Sequence, residues 1–415
     1  MVSRQAARLV AGSPAIAEAH FRAEAHPYHP ELRPDGYLNL GTAENRLLWD
    51  LLADRVTRRR PLTETDTRYA PLYGTPALRE RIAFLLSRVC RYTVAADDLV
   101  VVSGATAALD VIASALCDPG DAIVVPAPYY GAFDTDLAGR SGALLLPAQG
   151  AAGDGFRPTA AAIDRAVTRA HRDGITVRAV ALASPANPTG TVYPAETLRE
   201  VAGAAADHGV DIIADEIYAN SAFGPEPFTS LLVPAANPAR SDRTHVVWGF
   251  AKDFGLPGLK VGVLHTPDPT VRAAARALAY FAPVSTDTQA LLTELLDDTG
   301  WVDRVLAENR RRLAASYQGT ARLLDELSIP YVPAQAGCSL WADLGAWLPS
   351  PDAVGERALW RAVLDSTRVS IMPGEAFHSP EPGWFRICHT LDPLLVREAL
   401  MRLGDFLALR MRRHP

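Results

Sequence analysis

Short runs of β-branched and aliphatic residues alternate with longer stretches of helical periodicity through the middle of the chain. The runs are DLVVVS (98–103), DAIVVP (121–126), VRAVALA (ending at 183), VDIIA (210–214), THVVW (244–248) and KVGVLH (260–265). Helical patterns fill most intervals, for example 105–116 and 194–208. This alternation predicts an α/β fold with a mixed, mostly parallel sheet. Beyond about residue 295 the pattern changes to a long helix rich in Arg and Leu. Short strands follow near 338–343, 369–372 and 384–389, then a closing helix over 393–412. The expected organisation is a large sheet domain (48–295) and a smaller α+β C-terminal domain (296–415), with residues 1–47 packing on the latter. No internal repeat or low-complexity tract interrupts it. The Pro- and Gly-rich stretches 149–158 and 222–240 read as surface connections.

Composition narrows the class. With 48% apolar and 21% charged residues over 415 positions, the chain has globular proportions and no apolar run long enough to cross a membrane. A net charge of −6 gives no reason to expect nucleic acid or an anionic membrane as partner. Cys90, Cys117, Cys338 and Cys388 form no CxxC pair, which fits a reducing cytoplasm and argues against a structural metal. Residues 1–20 carry Arg4 and Arg8 but no continuous apolar core, so an N-terminal helix is expected rather than a signal peptide.

The basic residues add the first chemistry. Only two of the 41 are lysine, Lys252 and Lys260, so the other 39 are arginine. What lysine offers and arginine lacks is an amine that can lose its proton and condense with a carbonyl. A Schiff-base lysine for pyridoxal phosphate is one reading; coding bias with two chance survivors is the other.

Several segments point the same way. SGATAALDVIASAL passes from a strand into a helix, and the amides of Ala105 and Thr106 at that N-terminus suit a phosphate, with the Thr106 hydroxyl as a further donor. In PAPYYGAFDTDL, Tyr130 is the candidate to stack on a planar ligand, with Tyr129 as the alternative. Asn187 in ASPANPTGT stands at a strand end, where open α/β sheets bind ligands. Asp215 ends the apolar run VDIIAD and needs a cation partner such as a pyridinium N–H; helix capping by Asp215 and Glu216 is the competing explanation. Tyr218 would donate to the same phenolate as Asn187. Arg386, within the apolar EPGWFRICHT, either holds a substrate carboxylate or closes an internal salt bridge.

In this order these elements resemble the fold-type I pyridoxal phosphate enzymes, and within them the 1-aminocyclopropane-1-carboxylate synthases, which cyclise S-adenosylmethionine. The resemblance spans about residues 26–405 and rests on GTAENRLL, GTPALRERIA, SGATAALD, PAPYYGAFDTDL, NPTGT, DEIYANSAF, KDFGLPGLKVG, STDTQ and EPGWFRIC. NPTG, DEIY and the lysine are shared with many aminotransferases; AENRLL, PYYGAFDTDL, KDFGLPG and EPGWFRIC point to the synthase branch. The resemblance implies that Lys252 forms the Schiff base and removes the α-proton. It implies that Asp215, Asn187, Tyr218 and Tyr130 hold the ring, Ala105 and Thr106 the phosphate, and Arg386 the substrate carboxylate. It places Glu44 near the sulfonium, and it implies a homodimer with shared active sites.

The chain departs from that pattern in one region. Where the family carries serines three and one before the lysine and an arginine eight after it, this chain has Gly249, Ala251 and Lys260. Two hydroxyls are gone and a guanidinium fork has become a single ammonium, so Lys260 is expected to contact phosphate in its place. The favoured reading is a remodelled phosphate cup, with room for a bulky or phosphate-bearing second metabolite; simple drift is the alternative. The family's interface tyrosine is also displaced, leaving Tyr73 or Tyr69 to cross to the neighbouring subunit, with Ser285 and Thr286 as candidates to reach its phosphate. The expected activity is α-deprotonation and γ-elimination on S-adenosylmethionine or a related amino acid. The product is a cyclopropane amino acid or an adduct with a second substrate, as in specialised biosynthesis. The alternatives are an aminotransferase using a 2-oxo acid and a non-catalytic binding protein of the same fold.

Overall fold

The computed structural model describes residues 2–11, 15–58, 60, 62–238 and 241–413. Helices Arg4–Ala11 and Ala15–Ala25 occupy the expected N-terminal helical region, and the residues between them lie outside the described ones. The last two residues of the expected loop 222–240 also lie outside them.

The strands in chain order are β1 (Leu38–Asn39), β2 (Leu99–Val102), β3 (Ala122–Ala127), β4 (Leu144–Gln149), β5 (Val177–Ala183), β6 (Asp211–Asp215), β7 (Thr244–Gly249) and β8 (Gly262–His265). They continue with β9 (Tyr331–Val332), β10 (Ser339–Asp343), β11 (Val369–Ser370), β12 (Met372–Pro373) and β13 (Trp384–Cys388). A seven-stranded sheet has the order β2-β8-β7-β6-β5-β3-β4. Its neighbours are parallel except that β8 runs antiparallel to both β2 and β7.

The continuous apolar runs are explained by cover on both faces. In β6, Ile212 and Ala214 pack into one core while Ile213 packs into the other. Val101 and Val100 divide between the same two cores. Burying a pair such as Ile212 and Ile213 contributes about 1.5–3 kcal/mol each. Strand β4 has no counterpart among the sequence-predicted strands. It is an edge strand with an exposed Leu144 and a proline, Pro147, so neither the two-sided apolar run nor a clean alternation marks it.

A second sheet, β12-β13-β10-β9, packs under the helices Thr299–Glu326, Ala353–Thr367 and Pro393–Arg413. Strand β1 pairs in parallel with β11, and Leu38 and Leu40 enter the same core as Phe385 and Ile387. No described helix is long and apolar enough to cross a membrane.

Candidate active site

The site forms at the carboxyl ends of the parallel strands, where chain turns leave backbone and side chains free to face a ligand. Strand β6 delivers Asp215 at its last position, paired in register with Ala183 at the end of β5. No helix follows Asp215; residues 217–220 form turns, so helix capping does not account for the acid. Asp215 is 5% exposed, and among the described residues its carboxylate accepts only from the Ile217 amide, at 3.2 Å. Desolvation pushes its pKa up to about 7. Among the described residues no salt bridge reaches it, although the Lys252 charge favours its ionised form.

Asn187 and Arg386 meet across 199 residues of sequence. Arg386 Nη1 donates to Asn187 Oδ1 at 3.2 Å, which leaves the Asn187 Nδ2 hydrogens unspent. Arg386 Nη2 donates to the Gly41 carbonyl at 2.6 Å, and the guanidinium lies over the Phe377 ring at 4.8 Å. Its Nε is buried with no partner, and among the described residues no carboxylate pairs with it. The internal salt bridge considered for Arg386 is therefore absent there, and the arginine keeps donors for an incoming anion.

Lys252 lies in the short helix Phe250–Asp253 directly after β7. That turn is locked from beneath. Asp253 accepts from Asn220 N, Ser221 Oγ and Trp248 Nε1 at 3.0, 2.6 and 2.9 Å. The Lys252 amine donates to the Ala43 carbonyl, and burial lowers its pKa from the ordinary lysine value. Tyr218 is buried against Cys338 and Ala251, and its hydroxyl has no hydrogen-bond partner among the described residues.

The two adjacent tyrosines separate cleanly. Tyr129 is buried, donates to Asp134 at 3.0 Å and stacks on His378 with centroids 4.6 Å apart. Tyr130 lines a cavity of about 760 Å³ together with Lys252 and Arg386.

At the other end, Gly104 (φ +94°) turns the chain into the helix Ala105–Leu116. Its first amides have no acceptor within the helix. A Cβ on Gly262 would collide with the Gly104 and Ala105 backbone, so β8 passes directly beneath this turn. A Cβ built on Gly104 would lie 3.9 Å from Lys260 Nζ, which brings the second lysine to the same turn. Gly249 and Ala251 supply no hydroxyl here. Thr106 donates its hydroxyl to Asp136 at 3.2 Å. Asp136 is 6% exposed, and desolvation pushes its pKa up to about 6. Nothing in FDTDL marks that acid as buried.

Five other expected residues do not line this cavity. Glu44 is half-buried, pairs with Arg46 at 2.6 Å and is absent from the cavity wall. Tyr73 is covered by the Arg276 and Arg79 guanidiniums of its own chain, at 4.4 and 5.2 Å, whereas Tyr69 is fully exposed. Ser285 caps the helix Thr286–Asp297 and its hydroxyl bonds to Thr288; Thr286 donates to the Asp66 carbonyl at 2.5 Å.

A family model described as aminotransferase class I and II matches residues 35–403. The chain belongs to that family. It is a pyridoxal phosphate-dependent enzyme, and it is similar to the 1-aminocyclopropane-1-carboxylate synthases. It is 34% identical over 398 residues to 1-aminocyclopropane-1-carboxylate synthase 6 of Arabidopsis thaliana, covering 92% of this chain and 80% of that one. It is 35% identical over 405 residues to 1-aminocyclopropane-1-carboxylate synthase 1 of Oryza sativa subsp. indica, with 92% and 83% covered. Among solved structures, aspartate aminotransferase from Thermus thermophilus with maleate superposes with a TM-score of 0.81 at 24% identity, covering 98% of this chain and 99% of that one. The aromatic aminotransferase of Pyrococcus horikoshii OT3 gives 0.78 at 21% identity, with 95% and 99% covered.

The residues fit the cofactor. Asp215 has no ion pair among the described residues and would suit a pyridinium N–H, Asn187 and Tyr218 retain donors for a phenolate, and Lys252 is a desolvated amine. The turn at Gly104 offers helix amides and Lys260 for the phosphate.

Proposed function

We propose that this enzyme acts on S-adenosylmethionine, removes its α-proton and expels methylthioadenosine from Cγ. The product is a cyclopropane amino acid or an adduct with a second substrate. The observation that carries this reading is the likeness over 92% of the chain to 1-aminocyclopropane-1-carboxylate synthases, in a site with an arginine that has no carboxylate partner among the described residues and a desolvated lysine.

Arg386 fixes the substrate through its α-carboxylate, using the donors its own chain leaves unpaired. Lys252 takes Hα; its lowered pKa keeps more of the amine in the basic form at neutral pH. The bound cofactor supplies an electron sink for the pair left on Cα. Asp215 holds the proton on the ring nitrogen, and Asn187 and Tyr218 donate to the ring oxygen. In the cyclopropane outcome the Cα–Cγ bond forms as the Cγ–S bond breaks. The sulfur keeps the bonding pair, and the sulfonium leaves as the neutral thioether methylthioadenosine. Glu44 takes its place beside the sulfonium by releasing Arg46. In a homodimer with shared sites, Tyr69 crosses to the neighbour rather than Tyr73, whose ring is already used.

The test is product analysis after incubation with pyridoxal phosphate and S-adenosylmethionine. Methylthioadenosine should appear in step with substrate loss and with no 2-oxo acid present. The second reading, amino transfer, is favoured by the aminotransferase architecture, and it requires an oxo-acid acceptor while leaving the sulfonium intact. Stoichiometric amino transfer without methylthioadenosine would overturn the lyase reading.

A further inference from the structure

The charged groups on the wall of the 760 Å³ cavity can be taken one by one. Lys252 donates to the Ala43 carbonyl, and Arg386 donates to Gly41 and Asn187. Asp134 accepts from Tyr129, with His378 Nε2 at 2.7 Å from its other oxygen. His20 Nδ1 lies 2.7 Å from Thr42 Oγ1, and Arg357 pairs with Glu375 at 2.5 Å. Arg361 lines the same wall and differs from all of them. Among the described residues it has neither a hydrogen bond nor an ion pair.

The helix fixes the backbone at Arg361, and its side chain is exposed. Ala353–Thr367 buries Leu359, Trp360, Val363 and Leu364. Glu356 accepts from the amides of Glu375 and Gly383 at 2.7 and 2.6 Å, and Trp360 Nε1 donates to the Ile371 carbonyl at 2.9 Å. With that face locked against β11 and β12, Arg357 and Arg361, four residues apart, share the face that meets the cavity.

A guanidinium stays charged at any working pH and presents a fork that matches carboxylate and phosphate oxygens. The α-carboxylate of the amino-acid substrate is already assigned to Arg386, so the anion that suits Arg361 belongs to another molecule. We propose that the outer wall of the cavity is a subsite for a second substrate bearing a phosphate or carboxylate, which Arg361 holds. The exposed ring of Phe21 lines the same space and offers an apolar face to the rest of such a molecule. This rests on the adduct-forming version of the function proposed above.

The test is calorimetric titration of the pyridoxal phosphate-loaded enzyme with inorganic pyrophosphate and, separately, with glutarate. At least one should bind, and which one does distinguishes a phosphate-bearing from a carboxylate-bearing substrate. R361Q should weaken that binding about tenfold or more, the scale of a lost charge-assisted contact. R361K should recover part of it, which also guards against a folding defect in R361Q. If neither probe binds the unsubstituted enzyme, or if R361Q binds both as the unsubstituted enzyme does, the subsite is absent. If R361Q raises KM for S-adenosylmethionine while probe binding is unchanged, Arg361 serves the amino-acid substrate and the proposal falls. Methylthioadenosine release by the unsubstituted enzyme is scored separately. Its absence defeats the parent reading, whereas its presence without probe binding defeats the subsite alone.

Discussion

At the ring end of the cofactor seat, Asp215, Asn187, Tyr218 and Arg386 are all buried, and their neighbours leave specific donors and one carboxylate unspent. At the phosphate end, Thr106 and Lys260 are exposed, Gly249 and Ala251 carry no hydroxyl, and Thr106 already donates to a buried acid. The first end is pre-organised by packing, because each polar group is held by neighbours that cannot move without opening the core. The second relies on helix amides and one flexible ammonium. Under the proposed assignment the ring seat is tightly specified, while the phosphate seat has fewer fixed donors.

The largest effects should come from the ring end. Lys252→Ala should abolish turnover, and the absorbance of the lysine-bound cofactor should vanish with it; retention of both, with their loss in Lys260→Ala instead, would reverse the roles of the two lysines. Asp215→Asn should slow exchange of the substrate α-proton by roughly 10³-fold, within the range a positioned proton-holding group supplies. Near-normal exchange, followed by NMR in deuterated buffer, would remove Asp215 from the ring nitrogen.

A pH measurement sharpens the same contrast. In the cofactor-free protein the folded pKa of Asp215 is raised to about 7, so its contribution to stability is greatest below the unfolded value and is lost as pH rises through 7. A pyridinium partner removes that loss. The gap in unfolding free energy between the loaded and cofactor-free enzyme should therefore widen as pH rises from the ordinary carboxylate range to about 7, by roughly a few kcal/mol at most. Asp215→Asn should flatten the dependence. A gap that narrows with rising pH would contradict the assignment.

The smallest effects belong to the phosphate end. Asp136, with a pKa near 6, becomes an anion behind Thr106 as pH rises. Asp136→Asn should tighten pyridoxal phosphate a few-fold above pH 6 and change little below it, by fluorescence titration. Lys260→Arg should tighten it by a similar or smaller factor. If neither substitution alters cofactor affinity, the phosphate is not held at the Gly104 turn.

Much of the fold was legible because its signals are local. The runs of β2, β3 and β5 to β8 announced themselves as short, apolar and β-branched, and the helix 105–116 has those same bounds in the structure. Strand β4 was not legible, since an edge position relaxes the demand for apolar residues and admits Pro147. The lysine bias singled out Lys252 and Lys260 before any geometry was known, and both lie at the site region.

What the sequence by itself determined was the kind of chemistry: a rare amine, an acid after an apolar strand, an arginine inside one. Only the tertiary structure decided which side chains are free to do it. Tyr129 and Tyr130 are adjacent in sequence, yet one is spent on Asp134 and His378 and the other faces the cavity. Tyr73 is spent on two arginines, and Asp136 is hidden beneath Thr106. Arg386 is held by a carbonyl 345 residues away. Periodicity is written in neighbours along the chain and survives without the fold. A hydrogen-bond partner is chosen by proximity in space, and between residues hundreds of positions apart that proximity exists only after the two cores have closed.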